Sequence, residues 1–231
     1  MENQFERGIR LIGEEGLSKL KESKVIVFGL GGVGSYAVEA LARSGIGNLA
    51  LVDADKVCLS NLNRQLIALY STIGQLKVDV AERRIHDINP DCQVTKYPMF
   101  YLPENADEIC LSEYDYIVDC IDTMTAKIEL AVRSQAIKVP MISCMGTGNK
   151  LDPCKLQIAD ISKTSVCPLA RVMRLELRKR GINHLKCVFS TEEPIRIGTS
   201  EPGSTAFVPS TAGLLMASAV IRDLLAERDD Q

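Results

Sequence analysis

Six residues, Gly29-Leu30-Gly31-Gly32-Val33-Gly34, constrain this chain more than any others. They stand between Lys24–Phe28, an unbroken apolar run that reads as a buried strand, and Gly32–Arg43, whose apolar spacing reads as a helix closed by Gly45 and Gly47. Strand, glycine turn and helix in that order form the opening unit of a nucleotide-binding sheet. Gly29 permits the tight turn, Gly31 lets the backbone approach phosphate, Gly32 completes the run and Gly34 allows close helix–strand packing. Amides at the helix start then offer an anion site. Asp53 ends the next strand, Leu49–Val52, where a carboxylate can hold ribose hydroxyls. Alone, this pattern says nucleotide and does not separate NAD from ATP.

The residues that follow separate them. Asp55 and the run Leu59-Ser60-Asn61-Leu62-Asn63-Arg64-Gln65 are followed by Gly74-Gln75-Leu76-Lys77. A dehydrogenase has no use for such a polar loop beside its ribose site, whereas a triphosphate needs cations and amides. Arg64 can clamp a phosphate with its planar fork, Lys77 can act as a point charge at a helix start, and Asn61 can orient either. Asp122 lies just past Tyr116–Cys120, another buried strand, where an acidic side chain is placed to hold Mg²⁺ against phosphates.

Strand and helix patterns alternate through the first half. Gly74–Ile88 and Ala126–Ile137 read as helices, and Cys92–Tyr97 and Pro140–Cys144 as strands. The expected fold is α/β, a Rossmann-like doubly wound and largely parallel sheet with a C-terminal decorating extension. In that extension Lys155–Ile161 and Cys187–Ser190 read as strands and Pro168–Arg180 as a helix opened by proline. Thr191–Pro209 reads as a mobile loop, and Thr211–Arg228 as a closing helix capped by Ser210 or Thr211. The chain is taken as one domain over 1–231, with 1–150 binding nucleotide and 151–231 binding substrate.

The net charge of −3 argues against a protein that coats a polyanion wholesale, so any nucleic-acid contact must come from a local patch. The first ten residues carry charge and no apolar core of a signal peptide, and the apolar stretch Ala212–Ile221 is too short to span a bilayer. A cytoplasmic protein without stable membrane insertion is expected. Eight scattered cysteines with no CxxC pair do not support a zinc site, and Cys187 reads as a small buried residue. His86 and His184 have no neighbour suggesting a catalytic base. Lys150 reads equally as a substrate contact or as the cap of a turn.

The motifs GLGGVG, LVDADKVCLSNLNRQ, GQLKV, INP and VDCID, in that order, resemble the ubiquitin-activating, ThiF, MoeB and HesA superfamily of ATP-dependent adenylating proteins. The resemblance implies that Asp53 binds the ATP ribose, that Asn61, Arg64 and Lys77 bind phosphates, and that Asp122 is the Mg²⁺ ligand. It implies a homodimer in which Arg7, within Phe5-Glu6-Arg7-Gly8-Ile9, reaches the partner's ATP.

Branches that activate ubiquitin-like carriers usually hold zinc through two CxxC pairs, which this chain lacks. Its second half instead resembles the tRNA threonylcarbamoyladenosine dehydratases, through Gly148–Pro153, Ala159–Thr164, Pro168–Ala170 and Cys187–Glu192. The implied reaction has three stages. The threonine carboxylate of the modified adenosine attacks the α-phosphate of ATP, pyrophosphate leaves, and the ureido group closes a ring on the acyl carbon with loss of AMP. The tethered nucleophile makes an enzyme thiol unnecessary. A tRNA site is then required, and Arg171, Arg174, Arg178, Lys179, Arg180 and Lys186, set against Glu176 alone, are its candidates. Sulfur-transfer proteins, a cysteine desulfurase and its acceptors, are possible neighbours. The alternatives are an adenylating activator of a sulfur-carrier or ubiquitin-like C-terminus, an NAD(P) dehydrogenase, or an RNA-binding protein with a vestigial nucleotide site.

Overall fold

The computed structural model describes residues 4–198 and 201–226. Its centre is β1 (Lys24–Phe28), buried on both faces. Around it lie β2 (Asn48–Val52), β3 (Gln93–Tyr97), β4 (Tyr116–Asp119), β5 (Met141–Cys144), β6 (Leu156–Asp160) and β7 (Lys186–Ser190), in the order β3-β2-β1-β4-β5-β7-β6. Every pairing is parallel except β6 with β7, so the extension continues the sheet and closes it with an antiparallel edge.

Alternation along β1 sets the two layers. Val25 and Val27 face a core shared with α2 (Gly34–Arg43), α3 (Lys77–Ile88) and α6 (Phe207–Leu225), while Ile26 and Phe28 face one shared with α4 (Met124–Ile137) and α5 (Pro168–Lys179). The chain leaves β1 toward β2 on one side and enters β4 on the other. The connections leaving the carboxyl ends of β1 and β4 therefore diverge and open a crevice, the usual ligand position in such sheets.

Most expected elements agree to within two residues, and the differences have local causes. α1 (Glu6–Glu22) has no counterpart in the sequence reading, because Gly13 (φ 74°, ψ 170°) breaks it into two short pieces and erases a continuous period. α3 starts at Lys77 rather than Gly74. Residues 74–76 instead fold against 55–57, with Gly74 donating to the Val57 carbonyl and Val57 to that of Gln75.

α6 starts four residues before Thr211. Pro209 fits its first turn, and the Ser210 and Thr211 hydroxyls donate back to the carbonyls of Ala206 and Phe207 instead of capping. Arg228 lies outside the described residues. At 19 residues α6 is also long and apolar enough to cross a membrane, which corrects the shorter stretch inferred from sequence. It packs against α2 so closely that a Cβ on Gly213 would lie 2.2 Å from the Val33 carbonyl oxygen, and its buried Val208, Ala212, Met216 and Val220 belong to the core.

Candidate active site

The crevice holds a pocket of about 820 Å³. One wall begins at the glycine turn. Gly29 takes φ +85°, and a Cβ there would meet the Cys120 carbonyl oxygen at 2.7 Å. A Cβ on Gly34 would lie 1.7 Å from the Gly29 oxygen. No larger residue fits either position, and the start of α2 is thereby pressed against the sheet. Its first turn carries no side-chain cap, leaving the amide end open toward an anion. Ser35 ties this turn to the polar loop, donating to the Gly31 carbonyl and accepting from the Leu66 amide.

The structure brings Gly29, Gly31, Gly32, Asp53, Asp55, Asn61, Arg64, Lys77 and Asp122 to this single pocket. Asp53 braces its neighbours, accepting from the Leu30 amide at 2.7 Å and the Asp55 amide at 2.8 Å. Lys77, 4% exposed, places its Nζ 2.7 Å from Asp55 and 3.6 Å from Asp53. Asn61 accepts from the Cys58 amide, and Arg64 donates to the Ser60 carbonyl and to Asn63 Oδ1. Two buried polar atoms of lining residues, Gln65 Oε1 and Tyr101 Oη, have no hydrogen-bond partner among the described residues.

Asp122 is exposed at the turn after β4, and the support beneath that turn was not read from the sequence. Lys127 and Asp119 are both fully buried. Lys127 Nζ donates to Asp119 Oδ2 at 2.8 Å and to the Ile121 carbonyl at 3.0 Å. Ser143 donates to the same Asp119 oxygen, and the Ile121 amide donates to the other. Burial pulls the Lys127 pKa down, but Asp119 outweighs it and holds the lysine above its ordinary value. In sequence Lys127 is only one cation on a helical pattern; its pairing exists because β4, α4 and β5 converge.

The opposite wall comes from the extension. Asn149, at φ 59°, donates its amide to the Gly203 carbonyl and accepts the Gly203 amide on its Oδ1. Asn63 reaches across to the Ser204 carbonyl, so the segment after Thr191, expected to be mobile, is hydrogen-bonded on both sides of the pocket. Glu192 accepts from the amides of Leu151 and Asp152. Lys150 lines this wall and donates to the Gly146 carbonyl.

Other candidates lie elsewhere. Arg7 is exposed on α1 and does not line this pocket. Arg171 and Arg174 line a second groove that shares Cys167 and Pro168 with the first. Arg174 is committed to structure, donating to Thr164 Oγ1 and to the carbonyls of Ile161 and Thr164. Lys179 and Arg180 pair with Glu176, which reduces the positive charge of the patch, while Arg178 is exposed. Lys186 begins β7, at the amino edge of the sheet, and is held by Asp223. None of the six cations rims the first pocket: Arg171, Arg174, Arg178, Lys179 and Arg180 lie on or just after α5, while Lys186 pairs with Asp223 of α6 on the opposite face of the sheet. Burial pushes the Cys187 thiol up to about 12, which suits an inert core residue.

Comparison with known proteins agrees with the fold. The ThiF family matches residues 5–231. A Bacillus subtilis protein named tRNA threonylcarbamoyladenosine dehydratase is 47% identical, over 98% of this chain and 96% of its own. The Escherichia coli tRNA N6-threonylcarbamoyladenosine dehydratase TcdA, solved with AMP, superposes with a TM-score of 0.92 at 35% identity, covering 99% of this chain and 96% of that one. The same enzyme solved with ATP gives 0.90 at 35% identity and equal coverage. The chain belongs to the ThiF family, among relatives that are tRNA threonylcarbamoyladenosine dehydratases.

Proposed function

We propose that this protein is an ATP-dependent tRNA threonylcarbamoyladenosine dehydratase that closes the threonylcarbamoyl group of the modified adenosine into a ring through an acyl-adenylate. The observation that carries the reading is one continuous pocket with two unlike walls. One wall gathers Lys77, Arg64, Asn61 and the open end of α2, and the other is built from residues 146–150, 167–169 and 202–204. The relatives' names and the AMP and ATP complexes support the same assignment.

On this reading the triphosphate lies on the first wall. The amides at the start of α2, with Arg64 and Lys77, offset charge on the phosphates as the carboxylate attacks the α-phosphorus and pyrophosphate departs. Mg²⁺ fits the donor set: Asp122 is an exposed carboxylate on a braced turn, and this ion usually takes one or two carboxylates and completes its shell with phosphates and water. Asp122 would hold it, and it would neutralise phosphate charge. We propose no zinc requirement, because the eight cysteines form no CxxC pair.

The substrate-binding role of the extension, a homodimer in which Arg7 serves the partner's ATP, and tRNA tracking by the α5 cations belong to the same proposal. Arg171 and Arg178 are its best RNA contacts, since both are exposed and make no ion pair among the described residues. A cytoplasmic location, no membrane insertion and sulfur-transfer neighbours are further expectations of it, and the packing of α6 into the core supports the second.

The test is direct. The protein is incubated with ATP, Mg²⁺ and tRNA carrying threonylcarbamoyladenosine, the tRNA is digested, and the nucleoside is weighed. ATP-dependent loss of one water is expected. An unchanged mass from folded, ATP-binding protein rejects the assignment. Activation of a sulfur-carrier protein would instead give pyrophosphate exchange that depends on a protein ending in Gly-Gly and is indifferent to tRNA.

A further inference from the structure

Lys150 is the one amine on the pocket wall built from residues 146–150, 167–169 and 202–204. It is 3% exposed, and its Nζ donates to the Gly146 carbonyl at 3.1 Å. An ammonium carries three donors, and among the described residues one acceptor meets them. Among the described residues Lys150 forms no ion pair. The nearby carboxylate of Glu192 is occupied by the amides of Leu151 and Asp152. The titratable groups facing the amine are Cys167, Glu192 and Cys144; all favour the charged form, yet burial outweighs them and draws the pKa below its ordinary value. A lysine so placed can serve as a neutral amine.

The proposed reaction needs such a group. When the ureido nitrogen attacks the acyl carbon, a C–N bond forms and the C–O bond to the adenylate breaks. The electron pair leaves with AMP, and the N–H proton must be taken up. No histidine lines the pocket and its described carboxylates, Asp53, Asp55 and Asp122, belong to the nucleotide wall. We propose that Lys150 is the general base of ring closure. Its Nζ accepts the ureido proton, the resulting ammonium is held by the Gly146 carbonyl, and the proton passes to water on product release. This inference rests on the dehydratase reading.

The experiment separates the two half-reactions in the full-length protein, using tRNA-dependent exchange of pyrophosphate into ATP for adenylation and single-turnover formation of the dehydrated nucleoside for closure. In Lys150→Met, closure is expected to fall on the order of 10²-fold while exchange falls no more than about threefold, as for loss of a general base. The wild-type rate of closure rises with pH to a plateau, and the variant's is flat. Lys150→Ala is expected to regain closure with a small primary amine such as ethylamine. Closure and exchange falling together, with no amine rescue and an unaltered pH profile, overturns the base while leaving the dehydratase reading intact. So does closure at the wild-type rate. Wild-type protein that binds ATP but dehydrates nothing removes both. A melting curve and ATP titration on each variant establish that it is folded.

Discussion

The two walls of the pocket are built by different means. The nucleotide wall is fixed by closely packed backbone and buried charge: a Gly34 that admits no Cβ, Lys77 locked between Asp55 and Asp53, and Lys127 sealed with Asp119 under the Asp122 turn. The facing wall is held by hydrogen bonds between loops, Asn149 to Gly203, Asn63 to Ser204 and two amides to the Glu192 carboxylate, with no buried ion pair among the described residues. Charge prearranged in a dry site suits a polyanion whose position must not vary, because such groups need little reorganisation when charge moves. Loop-to-loop bonds can part and re-form at lower energy, which suits the entry of a nucleoside attached to a large RNA.

The largest expected effect breaks the first wall. Lys127→Met strands the Asp119 carboxylate in the core and is expected to destabilise the fold by about 3–5 kcal/mol in urea titration. Replacing both partners, Lys127→Met with Asp119→Leu, should recover much of that. A loss below about 1 kcal/mol for the single variant would mean the pair is not what stiffens this wall. The next effect separates stability from chemistry. Asp122→Asn removes an exposed carboxylate, so the melting temperature should hold while turnover falls about 10²–10³-fold. Unchanged turnover with saturating Mg²⁺ removes Asp122 from the site.

The same contrast explains what the sequence disclosed. The nucleotide wall was legible because its geometry depends on local rules. A glycine turn after a buried strand, a carboxylate at the next strand end and a lysine opening a helix sit at short, fixed spacings, and all line the pocket as expected. Lys127 was not legible, since its burial depends on three elements meeting. Nor were Asn149 and Glu192, whose partners lie 54 and about 40 residues away. The cationic patch shows the opposite limit: cations close in sequence spread along α5 and β7, and Arg174, Lys179, Arg180 and Lys186 have structural partners that composition cannot reveal.

The facing wall should respond more gently. Asn149→Gly keeps the left-handed backbone and loses the Gly203 bond, an expected change of about 1 kcal/mol. It should raise KM for tRNA several-fold and leave KM for ATP unchanged. Asn149→Ala should do more, since φ 59° strains a Cβ residue by about 1–2 kcal/mol. If ATP affinity falls as far as tRNA affinity, the walls are mechanically one.

The smallest effect tests whether the second wall also stores charge. Burial draws the Lys150 pKa in the folded protein below its unfolded value. Where pH lies below both, each state carries the proton and the folded state bears the full penalty of a buried ammonium. Between the two values the unfolded chain binds more protons, so stability rises with pH; above both the penalty is gone. Lys150→Met removes the amine and keeps an apolar stem. It should therefore melt higher than wild type at neutral pH, by on the order of 2 °C, and the gap should close as pH climbs toward about 10. A variant that melts lower at every pH would show that the bond to the Gly146 carbonyl is worth more than the buried charge costs. Lys150 would then be a turn cap whose ammonium this wall holds at no net cost.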